Sequence, residues 1–130
     1  MSTLSSPVAE LKDLRDRLDR GPKQVAAAEA NVKKAELELE QAKDVNKKTR
    51  IAADQKQLQM KNREDKIKDL RGKLNQAASN REYQALKEQI AADEQANSVL
   101  ADEILEALEK LDQLSGAVKI ADTQLAKARE

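Results

Sequence analysis

Residues 79–90 read SNREYQALKEQI and lie where one long heptad repeat stops and a second begins in a different phase. Ser79 and Glu82 have the S-x-x-E spacing of a capping box. In this motif the serine hydroxyl accepts a hydrogen bond from a backbone amide near the start of the helix, and the glutamate carboxylate accepts one from the backbone amide of the serine. A helix therefore begins near Asn80. The start signal and the change of phase together predict the turn of a helical hairpin.

The composition favours long helices over a compact globular core. Charged residues make up 37% of the 130 residues and aromatic residues only 1%, so the large side chains that fill a globular core are scarce. Strong helix formers dominate, and their apolar members recur at helical spacing. Disorder is the competing interpretation of so polar a chain, but disordered segments do not sustain heptads. We therefore predict an all-α fold held together along a seam.

The first heptad repeat runs from Pro22 to about Gln76. A helix of about 50 residues is roughly 75 Å long at 1.5 Å per residue, so it needs a partner along its length. The a positions are Val25, Val32, Leu39, Asn46, Ala53, Met60, Ile67 and Leu74, and the d positions are Ala28, Ala35, Ala42, Thr49, Lys56, Arg63, Leu70 and Ala77.

The second heptad repeat starts near Asn80, and its phase slips by two residues relative to the first. One continuous helix would turn its apolar stripe away from a straight partner, whereas a turn at residues 77–80 makes the two helices partners of each other. We therefore predict a long antiparallel coiled-coil helical hairpin built from residues 22–76 and 81–130. In the second helix the a positions are Tyr83, Ile90, Asn97, Ile104, Leu111, Val118 and Leu125, and the d positions are Leu86, Asp93, Leu100, Ala107, Leu114, Ala121 and Ala128.

Two pairings of these helices satisfy the apolar pattern. In the first, Leu74 faces Leu86 and Leu70 faces Ile90 across a tight turn. In the second, the helices slide by one heptad, so that Leu70 faces Tyr83 after a longer loop. Short connections are commoner, which favours the first, while flanking charges favour the second. We expect the tight turn.

A short amphipathic helix is predicted to precede the coiled coil, within residues 1–21. Ser6 and Pro7 have the pattern of an N-cap followed by proline at the first helical position. The Gly21-Pro22 pair is predicted to end or kink this helix, because glycine suits the position after a helix and proline starts a new one. The apolar stripe of this helix consists of Val8, Leu11, Leu14 and Leu18.

Charge is balanced overall but unevenly distributed. The 24 basic and 24 acidic residues give a net charge of zero, so bulk charge indicates neither nucleic acid nor membrane as a partner. Between residues 43 and 73 eleven basic residues outnumber five acidic ones, whereas acidic residues predominate between 82 and 112. We interpret this as complementarity within the hairpin, with nucleic-acid binding as the alternative. The candidate nucleic-acid contacts are Lys47, Lys48, Arg50, Lys61, Lys66 and Lys68.

The residue types needed for several kinds of site are missing. The chain has no cysteine and no histidine, which excludes disulfides, thiolate nucleophiles, Zn ribbons and histidine acid–base chemistry within these residues. No window approaches the roughly 18 apolar residues that span a bilayer, and the N-terminus lacks the pattern of a secretory leader. We expect a cytoplasmic protein that is not an enzyme, needs no cofactor in this chain and has no membrane partner.

Polar and aromatic residues at seam positions allow more specific interpretations. Tyr83, the sole aromatic residue, would suit stacking on a base or anchoring of a partner, but in the first turn of a helix we expect it to pack over the hairpin tip. Asn46 and Asn97 at a positions are typical of asparagines that fix register. Asp93 at a d position is expected to be neutralised by a lysine or arginine that reaches into the seam, such as Arg63.

Residues 80–90, NREYQALKEQI, and residues 102–106, DEILE, resemble the hairpin segment of bacterial coiled-coil proteins that end in a four-cysteine zinc ribbon. Residues 18–25, LDRGPKQV, are similar to the planctomycete-type branch of this family. The resemblance covers residues 8–130 and implies an adaptor that binds nucleic acid or protein and has no enzymatic activity. The ribbon, with its paired Cys-x-x-Cys ligands, has no counterpart here. We therefore expect the native protein to continue past Glu130 and any zinc to lie in that continuation.

The function predicted from these features is that of a non-enzymatic adaptor that holds a partner protein along its seam or at its tip. The tip residues proposed for this contact are Arg81, Glu82, Tyr83 and Lys87. One alternative is direct nucleic-acid binding by the basic run of the first helix. Another is a structural oligomerisation rod, in which an apolar stripe pairs with another copy in a four-helix bundle. The chain would accordingly be a monomeric hairpin or a homodimer.

Overall fold

The computed structural model describes residues 6–130, which fold into two α-helices. Helix α1 spans Pro7–Asn75 and helix α2 spans Asn80–Arg129, with a short turn of residues 76–79 between them. No strand occurs between residues 6 and 130. The all-α class is confirmed, and the arrangement is consistent with the predicted helical hairpin.

Both helices begin at serine caps, as the sequence predicts. The Ser6 hydroxyl accepts a hydrogen bond from the Ala9 amide at 3.1 Å, and its carbonyl oxygen accepts one from the Glu10 amide at 3.1 Å. The Ser79 hydroxyl accepts a hydrogen bond from the Glu82 amide at 3.1 Å. Each cap satisfies amides that the first helical turn leaves without a partner.

Helix α1 continues through Gly21 and Pro22, so of the two outcomes predicted for this pair, an end or a kink, the end is not present. Gly21 does not have a positive φ, and it therefore lacks the left-handed conformation that commonly ends a helix. The heptad supplies the physical reason, because Leu11, Leu18 and Val25 are seven residues apart and keep one phase across the pair. The boundary drawn at residue 21 is thus corrected: one helix covers both segments.

The described residues divide into two compact units. One comprises the described residues up to Gln41 together with Val118–Glu130, and the other comprises Ala42–Ala117. Each unit contains part of α1 and part of α2 and has an apolar cluster of its own. Every buried residue in either unit falls at one of the a or d positions assigned from the sequence.

The apolar cluster of the Ala42–Ala117 unit lies beside the turn. Ile67, Leu70 and Ile90 are buried, and Leu74 and Leu86 pack against them. These residues include both layers that the tight-turn register predicts. The same cluster also contains Ile67 and Leu86, which the alternative register would pair, so the polar contacts between the helices decide. Asn97 contacts Met60 and Asp93 contacts Lys66, which agrees with the tight turn and not with the pairing one heptad away.

The cluster of the other unit involves the end of α2. Small and branched side chains alternate in it, which lets the two helices approach closely. The buried members are Ala35, Leu39, Ala121 and Leu125, and the partly buried members are Val32, Val118 and Ala128.

Candidate functional site at the turn

The last turn of α1 tightens before the chain reverses. The Gln76 amide donates to the Lys73 carbonyl oxygen at 3.1 Å, and the Ala77 amide donates to the Leu74 carbonyl oxygen at 3.3 Å. Hydrogen bonds between residues three apart satisfy carbonyl groups that an α-helix leaves open at its end. The backbone that enters the turn is therefore held by the helix itself.

Glu82 holds the other side of the turn. Its carboxylate Oε2 lies 3.4 Å from the Ala78 amide nitrogen, which donates to it, while its own amide donates to the Ser79 hydroxyl. A standard capping box would use the serine amide for the first of these bonds, and here the contact is made one residue earlier. The Tyr83 amide adds a hydrogen bond of 3.0 Å to the Ser79 carbonyl oxygen. Of the four predicted partner contacts, Glu82 is thus engaged in shaping the turn.

Tyr83 and Lys87 are brought together on the first turns of α2. The Lys87 Nζ lies 5.5 Å from the centroid of the Tyr83 ring, within the range of a cation–π interaction. Tyr83 retains 38% of its accessible surface, and the apolar cluster beside the turn does not include it. Arg81, two residues before Tyr83 on α2, is also exposed. The tip thus presents an ordered aromatic ring with two cationic side chains.

A polar cluster interrupts the apolar seam farther from the turn. The Asp93 side chain is only 15% exposed, and it lies 4.0 Å from Arg63 Nε and 3.3 Å from Lys66 Nζ. The contact with Arg63 is the one predicted from the sequence. The sequence also allowed a lysine partner but did not identify Lys66, which occupies a flanking position. Its spacing of three residues from Arg63 places both side chains on one side of α1.

Asparagines also bridge the helices of the Ala42–Ala117 unit. Asn97 is buried, and its Nδ2 donates to the Met60 carbonyl oxygen at 3.1 Å, while its Oδ1 has no hydrogen-bond partner among the described residues. Asn46 Nδ2 lies 3.5 Å from the Ser115 hydroxyl. Both contacts are of the kind expected for asparagines that align two helices.

All six candidate nucleic-acid contacts are exposed on α1. Lys48 is paired with Asp44 at 2.9 Å, and Lys66 is paired with Asp93. The other four form no ion pair within residues 6–130. Acidic side chains such as Asp54 lie between them along the helix, so the structure does not gather the six into one unbroken basic patch.

Two kinds of site are not found in the described part of the chain. Neither α1 nor α2 contains an apolar stretch long enough to cross a membrane. No group of three or more carboxylates is arranged to hold a metal ion within residues 6–130.

Comparison with known proteins gives no match to a family model, a curated protein or a solved structure. The turn is a capped helix start that carries Arg81, Tyr83 and Lys87 into solvent.

Proposed function

We propose that this chain is a non-enzymatic adaptor, an antiparallel coiled-coil hairpin that presents its turn to a protein partner. The observation that carries the proposal is the contact of Lys87 with the exposed Tyr83 ring on a helix start fixed by the Ser79 cap. Tyrosine and arginine are enriched among the residues that dominate binding energy at interfaces. Side chains already held in place lose less entropy when a partner binds.

The two helices that carry the turn are held together by contacts in each unit. Buried residues fall at a and d positions, and ion pairs connect α1 with α2 beside them, as in Lys56–Glu103 at 3.4 Å and Arg71–Glu94. Exposed ion pairs contribute less than about 1 kcal/mol each, so the apolar seam supplies most of the stability of the rod. The charges instead favour one pairing of the helices over others.

The chemistry of the turn indicates the kind of partner. Arg81 and Lys87 are cationic, Tyr83 offers an aromatic face, and the nearby Glu82 carboxylate is turned toward the backbone. A partner surface with a carboxylate beside an apolar side chain would complement this group. The resemblance of residues 80–90 to an adaptor family supports the same interpretation.

Nucleic-acid binding by the basic run of α1 is less well supported. Two of its six cations are already paired with acidic groups, and acidic residues interrupt the remainder. Affinity for a phosphate backbone grows with the number of phosphates that a protein neutralises together. The proposal therefore assigns the partner contact to the turn.

The test is quantitative recovery of proteins from a nuclease-treated bacterial extract on the immobilised chain. Tyr83→Ala and Arg81→Glu should each reduce recovery of the specific partner by about tenfold, as loss of a hot-spot side chain does. Arg50→Glu is the matched control, since it makes the same charge change on the rod and should leave recovery unchanged. Equal recovery by all four proteins, each verified as helical by circular dichroism, would contradict the proposal.

A further inference from the structure

The N-terminal part of α1 carries a row of large apolar side chains that nothing in the described structure covers. Leu11, Leu14, Leu18 and Val25 are between 55% and 73% exposed. Neighbouring Val8 is 75% exposed. We refer to the row from Leu11 to Val25 as the N-terminal stripe.

The N-terminal stripe continues the seam of the same helix in the same phase. Leu11, Leu18 and Val25 precede the a residues Val32 and Leu39 at intervals of seven. Those two a residues pack in a cluster with α2, whereas the residues before them do not. A heptad seam is apolar because it meets another helix, so this segment has the pattern of a surface that binds one.

The flanking charges of the stripe repeat an arrangement that the structure already contains. In the cluster beside the turn, Leu70 on α1 and Ile90 on α2 are both buried, and Arg71 and Glu94 form an ion pair. Arg71 follows Leu70 by one residue along the chain, and Glu94 follows Ile90 by four. Ala35 and Leu125 stand in the same relation to the ion pair Glu36–Arg129, at 3.4 Å, in the other unit.

The stripe has the same spacing within one helix. Arg15 follows Leu14 by one residue, and Glu29 follows Val25 by four. Both charged side chains are exposed, and neither forms an ion pair among the described residues. If Leu14 of one copy faced Val25 of another, Arg15 and Glu29 would meet as Arg71 and Glu94 do.

We propose that the N-terminal stripe binds the same stripe of a second copy of this chain in antiparallel orientation. Two-fold symmetry then gives the Leu14–Val25 layer twice and the Arg15–Glu29 ion pair twice. Leu18 of each copy faces Gly21 of the other. The space at Gly21 is open in the single chain, since a Cβ atom added there would meet no other atom within 4 Å. This contact buries the N-terminal stripe of both copies. The seam between the two copies then contains no polar side chain.

Other alignments of the two stripes are less favourable. If the two copies are shifted by one heptad toward their N-termini, Arg15 of one copy lies opposite Pro22 of the other. Both Arg15–Glu29 ion pairs are then lost. Sliding by two heptads sets Arg15 opposite Arg15 of the other copy, and like charges at such positions disfavour the pairing. The charge pattern therefore favours this register over the two that are shifted toward the N-terminus.

The experiment is sedimentation equilibrium of the full chain over a range of concentrations. The wild type should approach twice the 14.4 kDa mass of one chain. Leu14→Lys should weaken dimerisation by about a hundredfold or more, because it buries a charge in the seam. Leu105→Lys is the matched control, since Leu105 is exposed on α2 outside the stripe and its substitution should not affect dimerisation.

Charge reversal tests the register. Arg15→Glu and Glu29→Arg should each weaken the dimer by roughly threefold to tenfold, and the double variant should restore it. A wild type that stays monomeric overturns the proposal, and so does a dimer that Leu105→Lys disrupts while Leu14→Lys does not. A double variant that is weaker than both single variants overturns the register. These outcomes do not depend on Tyr83 or Arg81, so they are separable from the test of the turn.

Discussion

The Asn97 side chain donates a hydrogen bond of 3.1 Å to the backbone carbonyl oxygen of Met60 and thereby links α2 to α1. Asn97 is buried, yet its side-chain oxygen has no hydrogen-bond partner among the described residues. The Met60 carbonyl group is also within the regular hydrogen-bonded part of α1. The link is therefore made at the cost of one buried acceptor without a partner.

Asn97→Leu should raise the free energy of unfolding by about 1–2 kcal/mol, because an apolar side chain replaces a buried amide that is only half satisfied. Urea unfolding followed by circular dichroism measures the change. Asn62→Leu, at an exposed position of α1, is the matched control and should change stability little. A loss of stability in Asn97→Leu would show that the hydrogen bond outweighs the apolar contact.

Asp93→Asn should lower the free energy of unfolding by about 1 kcal/mol at low salt, because Arg63 and Lys66 then lose the carboxylate that they share. The difference from wild type should shrink in 1 M NaCl, since the lost interaction is electrostatic. Asp102→Asn on the exposed face of α2 provides the control. A difference that does not respond to salt would assign the effect to packing.

The register of the two helices can be trapped, because the chain contains no cysteine of its own. Leu70→Cys combined with Ile90→Cys should form an intramolecular disulfide on mild oxidation, since the two positions share one cluster. Leu70→Cys combined with Tyr83→Cys should not, because one heptad separates Tyr83 from Ile90 along α2. Electrophoresis without reductant distinguishes the two. Efficient closure of the second pair would mean that the helices adopt the alternative register.

Pro22→Ala should increase amide protection around residue 22 by about tenfold or more, because it restores a hydrogen-bond donor inside a continuous helix and removes a steric clash with the preceding turn. Hydrogen exchange measured by NMR reports this residue by residue. Gln24→Ala, a nearby exposed substitution, should alter protection far less. Fast exchange on both sides of residue 22 in both proteins would indicate an interrupted helix.

Local hydrogen-bonding patterns made several features predictable. Ser6 and Ser79 are caps whose partners lie within four residues, so the sequence contains the whole interaction. The buried seam was predictable for a related reason, since the heptad alone decides which residues share one face of a helix. Whether Gly21 and Pro22 end or only kink the helix was left open by the sequence, because the local signal of this pair opposes a heptad phase that continues on both sides of it.

The sequence alone accounts for the all-helical class, the helix start at Ser79 and the residues of the seam, because each depends on neighbours within one or two helical turns. The choice between the two registers follows only from contacts between the two helices. The tight turn gathers Arg63, Asp93 and Asn97 at nearby levels, whereas a slide of one heptad would set Asp93 against Met60 and Arg63 against Ile90. Apolar residues satisfy both pairings equally, so the choice falls to the polar groups, whose burial is costly unless they meet one another.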